Sequence, residues 1–202
     1  MRKISLTVIA CALLLCVGTA QAQCVEQCAK APAQQRFVDN GDGTITDTCT
    51  NLMWEKKTTE AGRHDVNNTY LWSADTKYGP DGSVFTKFLY ALNDVLLRCN
   101  ADGSNCTQLS LGFAGHNDWR LPEFLELAGI GDDNFCVESN RFTGAPCIDP
   151  IFGPTQPKPY WSATAVASYR TVAANIDFFN VGLVGGDKAL DHDYVRAVRC
   201  AK

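Results

Sequence analysis

The sequence predicts an α+β domain built on antiparallel sheet. Two observations carry that prediction. Short apolar segments of strand length recur early and late in the chain, divided by Gly/Asn/Asp turns, and only two segments in the middle show helical spacing. Strands grouped at both ends with helices between them are not a βαβ series, so a parallel sheet is not expected. The apolar fraction of 46% is enough for a packed core in a chain of 202 residues, which sets it apart from disordered chains.

The first 22 residues stand outside that domain. Arg2 and Lys3 precede an apolar run from Ile4 to Val17, and Ala20-Gln21-Ala22 has the small-residue pattern of a cleavage site. Residues 1–22 therefore read as a Sec signal peptide, too short in its apolar part to span a membrane. Residues 23–35 read as a small, polar N-terminal segment and residues 36–202 as one domain. The expected locations are periplasmic, cell-surface or extracellular. After cleavage no transmembrane span is expected.

Within the domain, Arg36 to Asp47 predicts a hairpin, because Asn40-Gly41-Asp42-Gly43 is a strong turn between two short strands. The aspartates of that turn do not match a calcium loop, since Val38 and Cys49 fall where the first and last ligands belong. Leu52-Met53-Trp54-Glu55 predicts a third strand. Lys56 to Asn68 is polar and predicts an exposed loop with a solvated His64. Ser83 then stands where a helix cap is wanted, and Phe85, Phe88, Leu89, Leu92, Val95 and Leu96 recur at helical spacing. Leu109 to Phe113 leads into Gly115-His116-Asn117-Asp118-Trp119-Arg120-Leu121-Pro122. Pro122 suits the first position of a second helix, because it has no N–H to leave unbonded there. Glu123 and Glu126 favour its positive end, and Gly129 or Gly131 ends it. Trp119 reads as core, and Arg120 as a bracing arginine in need of carboxylate or carbonyl partners.

Asp132 to Pro150 reads as irregular, and Pro154, Pro157 and Pro159 disfavour regular structure after it. Tyr160 to Thr164 predicts a strand. Val172, Ala174, Ile176 and Phe178 alternate and predict one buried face of the next strand. Val181 to Val184 follows, Gly185-Gly186-Asp187 predicts a turn, and Tyr194 to Cys200 predicts the closing strand.

Ten cysteines fall to eight once Cys11 and Cys16 leave with the signal. An even count in an exported chain predicts a disulfide framework. The turn-rich segments between Cys99 and Cys106, and between Cys136 and Cys147, suggest those two pairs. Cys49–Cys200 would then join the first and last strands, while Cys24 and Cys28 either pair together or tether the N-terminal segment. Loss of Arg2 and Lys3 leaves 16 basic against 22 acidic side chains, a net charge of −6. With no basic run, nucleic acid is not an expected partner.

Five motifs in order resemble those of the Lcl C-terminal domain family, named for the collagen-like adhesin of Legionella. They are Arg36–Asp47, Leu52-Met53-Trp54, Asp118-Trp119-Arg120-Leu121-Pro122, Tyr160-Trp161-Ser162 and Tyr194–Cys200. The resemblance implies a C-type-lectin-like fold and binding rather than catalysis, with Trp54, Trp119, Arg120, Trp161 and Cys200 as structural residues. The named adhesin is associated with sulfated glycosaminoglycans and a trimeric collagen-like stalk. This chain departs from it in having no Gly-X-Y tract and a negative charge. The Trp-Arg-Leu-Pro-helix segment is also similar to one in formylglycine-generating enzymes.

No G-x-S-x-G elbow, H-E-x-x-H helix or P-loop occurs, so no catalytic residues and no cofactor are expected. Gln156-Pro157-Lys158 breaks the lectin calcium triplet. Asp187, Asp191, His192 and Asp193 read as a solvated polar turn in preference to a cation site. The expected ligand site is on the late loops, at Trp161, Tyr169, Arg170, Asp187, Asp191 and His192, since aromatics stack on sugars and carboxylates bond hydroxyls. The expected function is a non-enzymatic, exported adhesion-type module for a glycan or protein. The alternatives are a structural or assembly subunit of the envelope without a small ligand and, last, an enzyme of the formylglycine-generating type.

Overall fold

A computed structural model of the chain describes residues 36–94, 97–98, 107–108, 112–136 and 144–201. The architecture is α+β and mostly antiparallel. A four-stranded sheet has the order β1 (Phe37–Asp39), β2 (Thr44–Asp47), β3 (Leu52–Glu55), β9 (Val198–Cys200). A three-stranded sheet has the order β6 (Pro159–Ala165), β7 (Val172–Asp177), β8 (Gly182–Asp187). Between them in sequence lie a helical stretch, a two-residue ribbon of β4 (Leu97–Arg98) with β5 (Thr107–Gln108), and a short helix.

The first hairpin forms as its turn residues dictate. Gly41 and Gly43 take positive φ, which costs glycine little. Asp39 and Asp42 accept from the N–H groups of Gly41 and Thr44 at 3.0 and 3.1 Å. β3 then pairs with β9, setting Leu52 opposite Cys200 and Trp54 opposite Val198.

The early strands and the last strand are joined by this β3–β9 ladder, not by a Cys49–Cys200 bridge. Cys49 is disulfide-bonded, but Cys200 is a free, exposed thiol, so the expected Cys49–Cys200 bridge is corrected. Cys200 shares a sheet face with its partner Leu52 but ends the last strand, where it is exposed. Cys136 and Cys147 are bonded to each other. The suggested Cys99–Cys106 and Cys24–Cys28 pairs lie outside the described residues, as do Val95, Leu96 and Leu109.

Two apolar clusters fill the interior. One gathers Ile45, Trp54, Leu127, Phe152, Tyr160, Ile176 and Val198. The other gathers Trp72, Phe88, Leu92, Trp119, Leu121, Trp161 and Val195. β6 and β7 serve both, and this corrects the single-face reading of β7. Ala173, Ala174, Asn175 and Ile176 are all buried, because the strand lies mid-sheet with packing on each side.

The helices are shorter than expected. The first is helical from Val84, π-wound over Val84–Leu89 and α over Tyr90–Asn93 (α1). Ser83 does not cap it; the Ser83 hydroxyl instead accepts from the Leu71 N–H at 2.9 Å. The second, α2 (Phe124–Ala128), starts two residues past Pro122. Glu123 is its N-cap, in a reciprocal capping box with Glu126. Arg120 holds the Glu126 carboxylate through two bonds of 2.7 Å, so the bracing role has a named partner.

Two further expectations are corrected. Pro159 opens β6, a first-residue position that proline tolerates. Gly185, Gly186 and Asp187 belong to β8, not to a turn. A Cβ on Gly186 would lie 2.5 Å from Trp161 Cη2, so glycine is needed there for ring packing rather than for chain reversal.

Candidate functional site

Three loops converge at the end of the second sheet where β7 begins and β8 ends. The β6–β7 turn carries Tyr169 and Arg170, the end of β8 with the β8–β9 loop carries Asp187 to His192, and the third loop is the segment around Lys77. Lys188 ties them. Its backbone N–H donates to Thr171 O at 2.8 Å, its carbonyl accepts from Ser73 N at 2.7 Å, and its ammonium donates to Arg170 O at 3.1 Å. That ammonium sits 4.4 Å over the Trp72 ring, an attraction that strengthens away from water. Lys188 is only 3% exposed. Burial first, then the charge of Arg170, hold its pKa below the usual lysine value.

On this base the rim side chains face solvent. Tyr169 is 66% exposed and Leu190 75%, and Arg170, Asp191 and His192 are exposed. Arg170 also reaches Lys77 O at 3.3 Å. The rim thus offers an aromatic face, an apolar side chain and charges of both signs.

Trp161 does not join that rim. It is fully buried and its indole N–H donates to Tyr70 O at 2.7 Å, so its expected role as a ligand-stacking ring is corrected. Asp187 and Asp191 are engaged by their own loop. Asp187 Oδ1 accepts from Ala189 N at 3.0 Å and Asp191 Oδ2 from Asp187 N at 2.6 Å. Among the described residues no group of three or more acidic, histidine or cysteine side chains has a metal-binding arrangement.

Behind the rim lies a group that sequence reasoning missed. Asn175 is fully buried, and its amide donates to Asp193 Oδ2. Burial, with Asp191 and Asp177 nearby, raises the Asp193 pKa to about 6, although the Asn175 bond opposes the shift. Nothing in the local pattern marks Asn175, because its partner is 18 positions away.

The expected solvated His64 is also corrected. Its Nδ1 lies 2.8 Å from Glu55 Oε1, and its ring packs tilted against Phe113 with centroids 4.2 Å apart. Glu55 is fully buried. It takes Lys57 Nζ at 2.9 Å on Oε1 and Ala197 N–H at 3.1 Å on Oε2. Burial alone would raise its pKa, but Lys57 and His64 together bring it below the usual glutamate value. Beside it, buried Arg196 donates to the carbonyls of Glu55 and Phe152 and to Thr155 Oγ1. The Lys56–Asn68 loop is therefore anchored at its start, not freely exposed. Elsewhere a cleft of about 520 Å³ is lined by Phe135, Pro146, Ile148, Pro150, Pro154 and Thr155.

The fold and this rim define an antiparallel α+β module that presents loops from a rigid base. The chain belongs to the Lcl C-terminal domain family, whose model matches residues 43–199. That family links it to adhesin-related modules outside the cell or at its surface. No curated protein and no solved structure matches the chain. Among the described residues no helix is long and apolar enough to cross a membrane.

Proposed function

We propose that this chain is an exported, non-enzymatic binding module of C-type-lectin-like fold, with its ligand site on the converging loops. The ligand is a glycan or a protein at the cell envelope or beyond it. One observation carries the reading: Tyr169 and Arg170 stand exposed on a turn that buried Lys188 fixes to Trp72. A rigid aromatic and a guanidinium held ready at low entropic cost are what binding loops use. Asp187, Asp191 and His192 complete the rim as hydrogen-bonding groups. The negative mature chain disfavours sulfated polysaccharide, nucleic acid and other polyanions as ligands.

The test is a glycan array and a surface-protein pull-down with the mature chain, repeated with Tyr169→Ala and Arg170→Ala. Binding that falls roughly tenfold or more at unchanged melting temperature, the loss of about 1.4 kcal/mol, supports the reading. Binding that survives both substitutions removes the site. Absence of any glycan or protein ligand favours the alternative, a structural or assembly subunit. The formylglycine-generating type of enzyme calls for reactive cysteines. Cys200 supplies one free thiol, and among the described residues there is no second.

A further inference from the structure

Two of the longer sheet edges are treated differently. The outer edge of β6 is covered: Trp161 N–H donates to Tyr194 O at 2.9 Å, Tyr194 N–H to Pro159 O at 3.1 Å, and Ala163 N–H to Pro122 O at 2.8 Å. β1 is three residues long and carries the Asp39–Lys56 ion pair. β8 is the other edge of the second sheet. Its sequence, Gly-Leu-Val-Gly-Gly-Asp, holds no lysine and no proline, its ladder with β7 has no bulge, and Leu183 on it is 66% exposed. Such an edge lacks the devices that keep strands from pairing with other chains.

The register says which backbone groups are offered. Lys188 N–H bonds to Thr171 O, which makes Val172–Asp187 a non-hydrogen-bonded pair. The exchanging pairs are then Ala173–Gly186, Asn175–Val184 and Asp177–Gly182. Leu183, Gly185 and Asp187 direct their N–H and C=O outward. The Asp187 N–H is already taken by Asp191, so among the described residues the N–H groups on offer are those of Leu183 and Gly185.

We propose that β8 pairs antiparallel with β8 of a second copy of this chain, in a register centred on Val184, so that two three-stranded sheets become one of six. The strand is self-complementary in that register. Leu183 stands opposite the second copy's Gly185 and the reverse, closing four hydrogen bonds with the groups on offer. On the outer face each leucine covers a glycine and meets its symmetry mate diagonally. On the inner face the two half-buried Val184 side chains meet directly, the close non-hydrogen-bonded geometry that suits β-branched pairs. No charged residue faces a like charge, because Asp187 falls opposite Val181. An arbitrary peptide strand would not supply glycine opposite Leu183, so a second copy fits better than a foreign segment. The contact is isologous and closes as a two-fold dimer.

The test uses the mature chain in a Cys200→Ser background, which removes intermolecular disulfides as a source of dimer. Sedimentation over a wide concentration range is expected to show a monomer–dimer equilibrium, which Leu183→Lys shifts at least about tenfold toward monomer without lowering the melting temperature. Hydrogen exchange at the amides of Leu183 and Gly185 is expected to slow as concentration rises. A chain that stays monomeric to the order of 1 mM, the weak limit of specific association, overturns the proposal. So does a dimer that Leu183→Lys leaves intact or that leaves those two amides unprotected.

Discussion

Glu55 shows how one side chain joins distant parts of the sequence. Its carboxylate takes Lys57 and His64 from the following loop and the N–H of Ala197 from the segment before the last strand. A buried ion pair is weak evidence for net stability, but removing one partner strands the other charge. Glu55→Ala is therefore expected to cost about 3–5 kcal/mol, read by urea unfolding; a loss below about 1 kcal/mol would mean that Lys57 finds another partner. The pH dependence has a definite sign. Glu55 is held below its ordinary 4.5, so its contribution is present above that value and fades as pH falls through the lower folded one.

Asp193 has the opposite sign. Its pKa rises from 3.8 to about 6 in the fold. Its contribution is fully present below 3.8 and is lost as pH climbs through about 6, leaving an ionised, half-buried carboxylate at neutral pH. Asp193→Asn keeps an acceptor for the Asn175 amide and removes the charge. The substituted chain is expected to gain stability relative to the parent between pH 4 and pH 6, measured as the difference between two melting-temperature profiles. Parallel profiles through that window would show that solvent already satisfies the carboxylate.

At the scale of elements, the turns, strands and helix starts were legible to different depths. Asn40-Gly41-Asp42-Gly43 placed the first hairpin because turn chemistry is local. The alternation of Val172, Ala174, Ile176 and Phe178 marked a strand but not that both its faces are covered, since that depends on which elements pack against it. Gly185-Gly186 looked like a turn because the residue that needs a bare Cα, Trp161, lies 25 positions earlier in another strand. Gly186→Ala tests this directly. Its methyl group would overlap the Trp161 ring and the Asn175 amide, and overpacking of this kind costs about 1–3 kcal/mol. Calorimetry should show that loss; a neutral result would mean that the β7–β8 hairpin shifts freely against β6.

The make-up of the proposed rim was half legible for the same reason. Tyr169 and Arg170 stood out as exposed residue types in a late turn, and they are exposed. Lys188, which fixes them, and Asn175, which lies behind them, could not be found, because cation–π contacts and cross-strand amide bonds leave no trace in spacing.

For the molecule as a whole, the closure of the chain rests on backbone pairing. Cys200 is free, so Cys200→Ser is expected to change stability by no more than about 0.5 kcal/mol, the usual range for a surface substitution. A disulfide closing so long a loop would make the same change cost about 2–5 kcal/mol. A thiol titration of the folded chain should find Cys200 reactive. A large loss of stability in Cys200→Ser would show that sulfur, not the β3–β9 ladder, holds the ends together.

That ladder has a mechanical corollary. β1 begins and β9 finishes at one end of the four-stranded sheet, since β1 runs alongside β3 and β9 against it, and Ala201 bonds to Asn51 just beyond β3. The first and last described residues of this sheet region, Arg36 and Ala201, are thus separated by about three strand spacings, roughly 14 Å. A pull between them acts across the strands, so the bonds give way in succession instead of sharing the load. Loaded at those two points, the sheet would open strand by strand, like a seam.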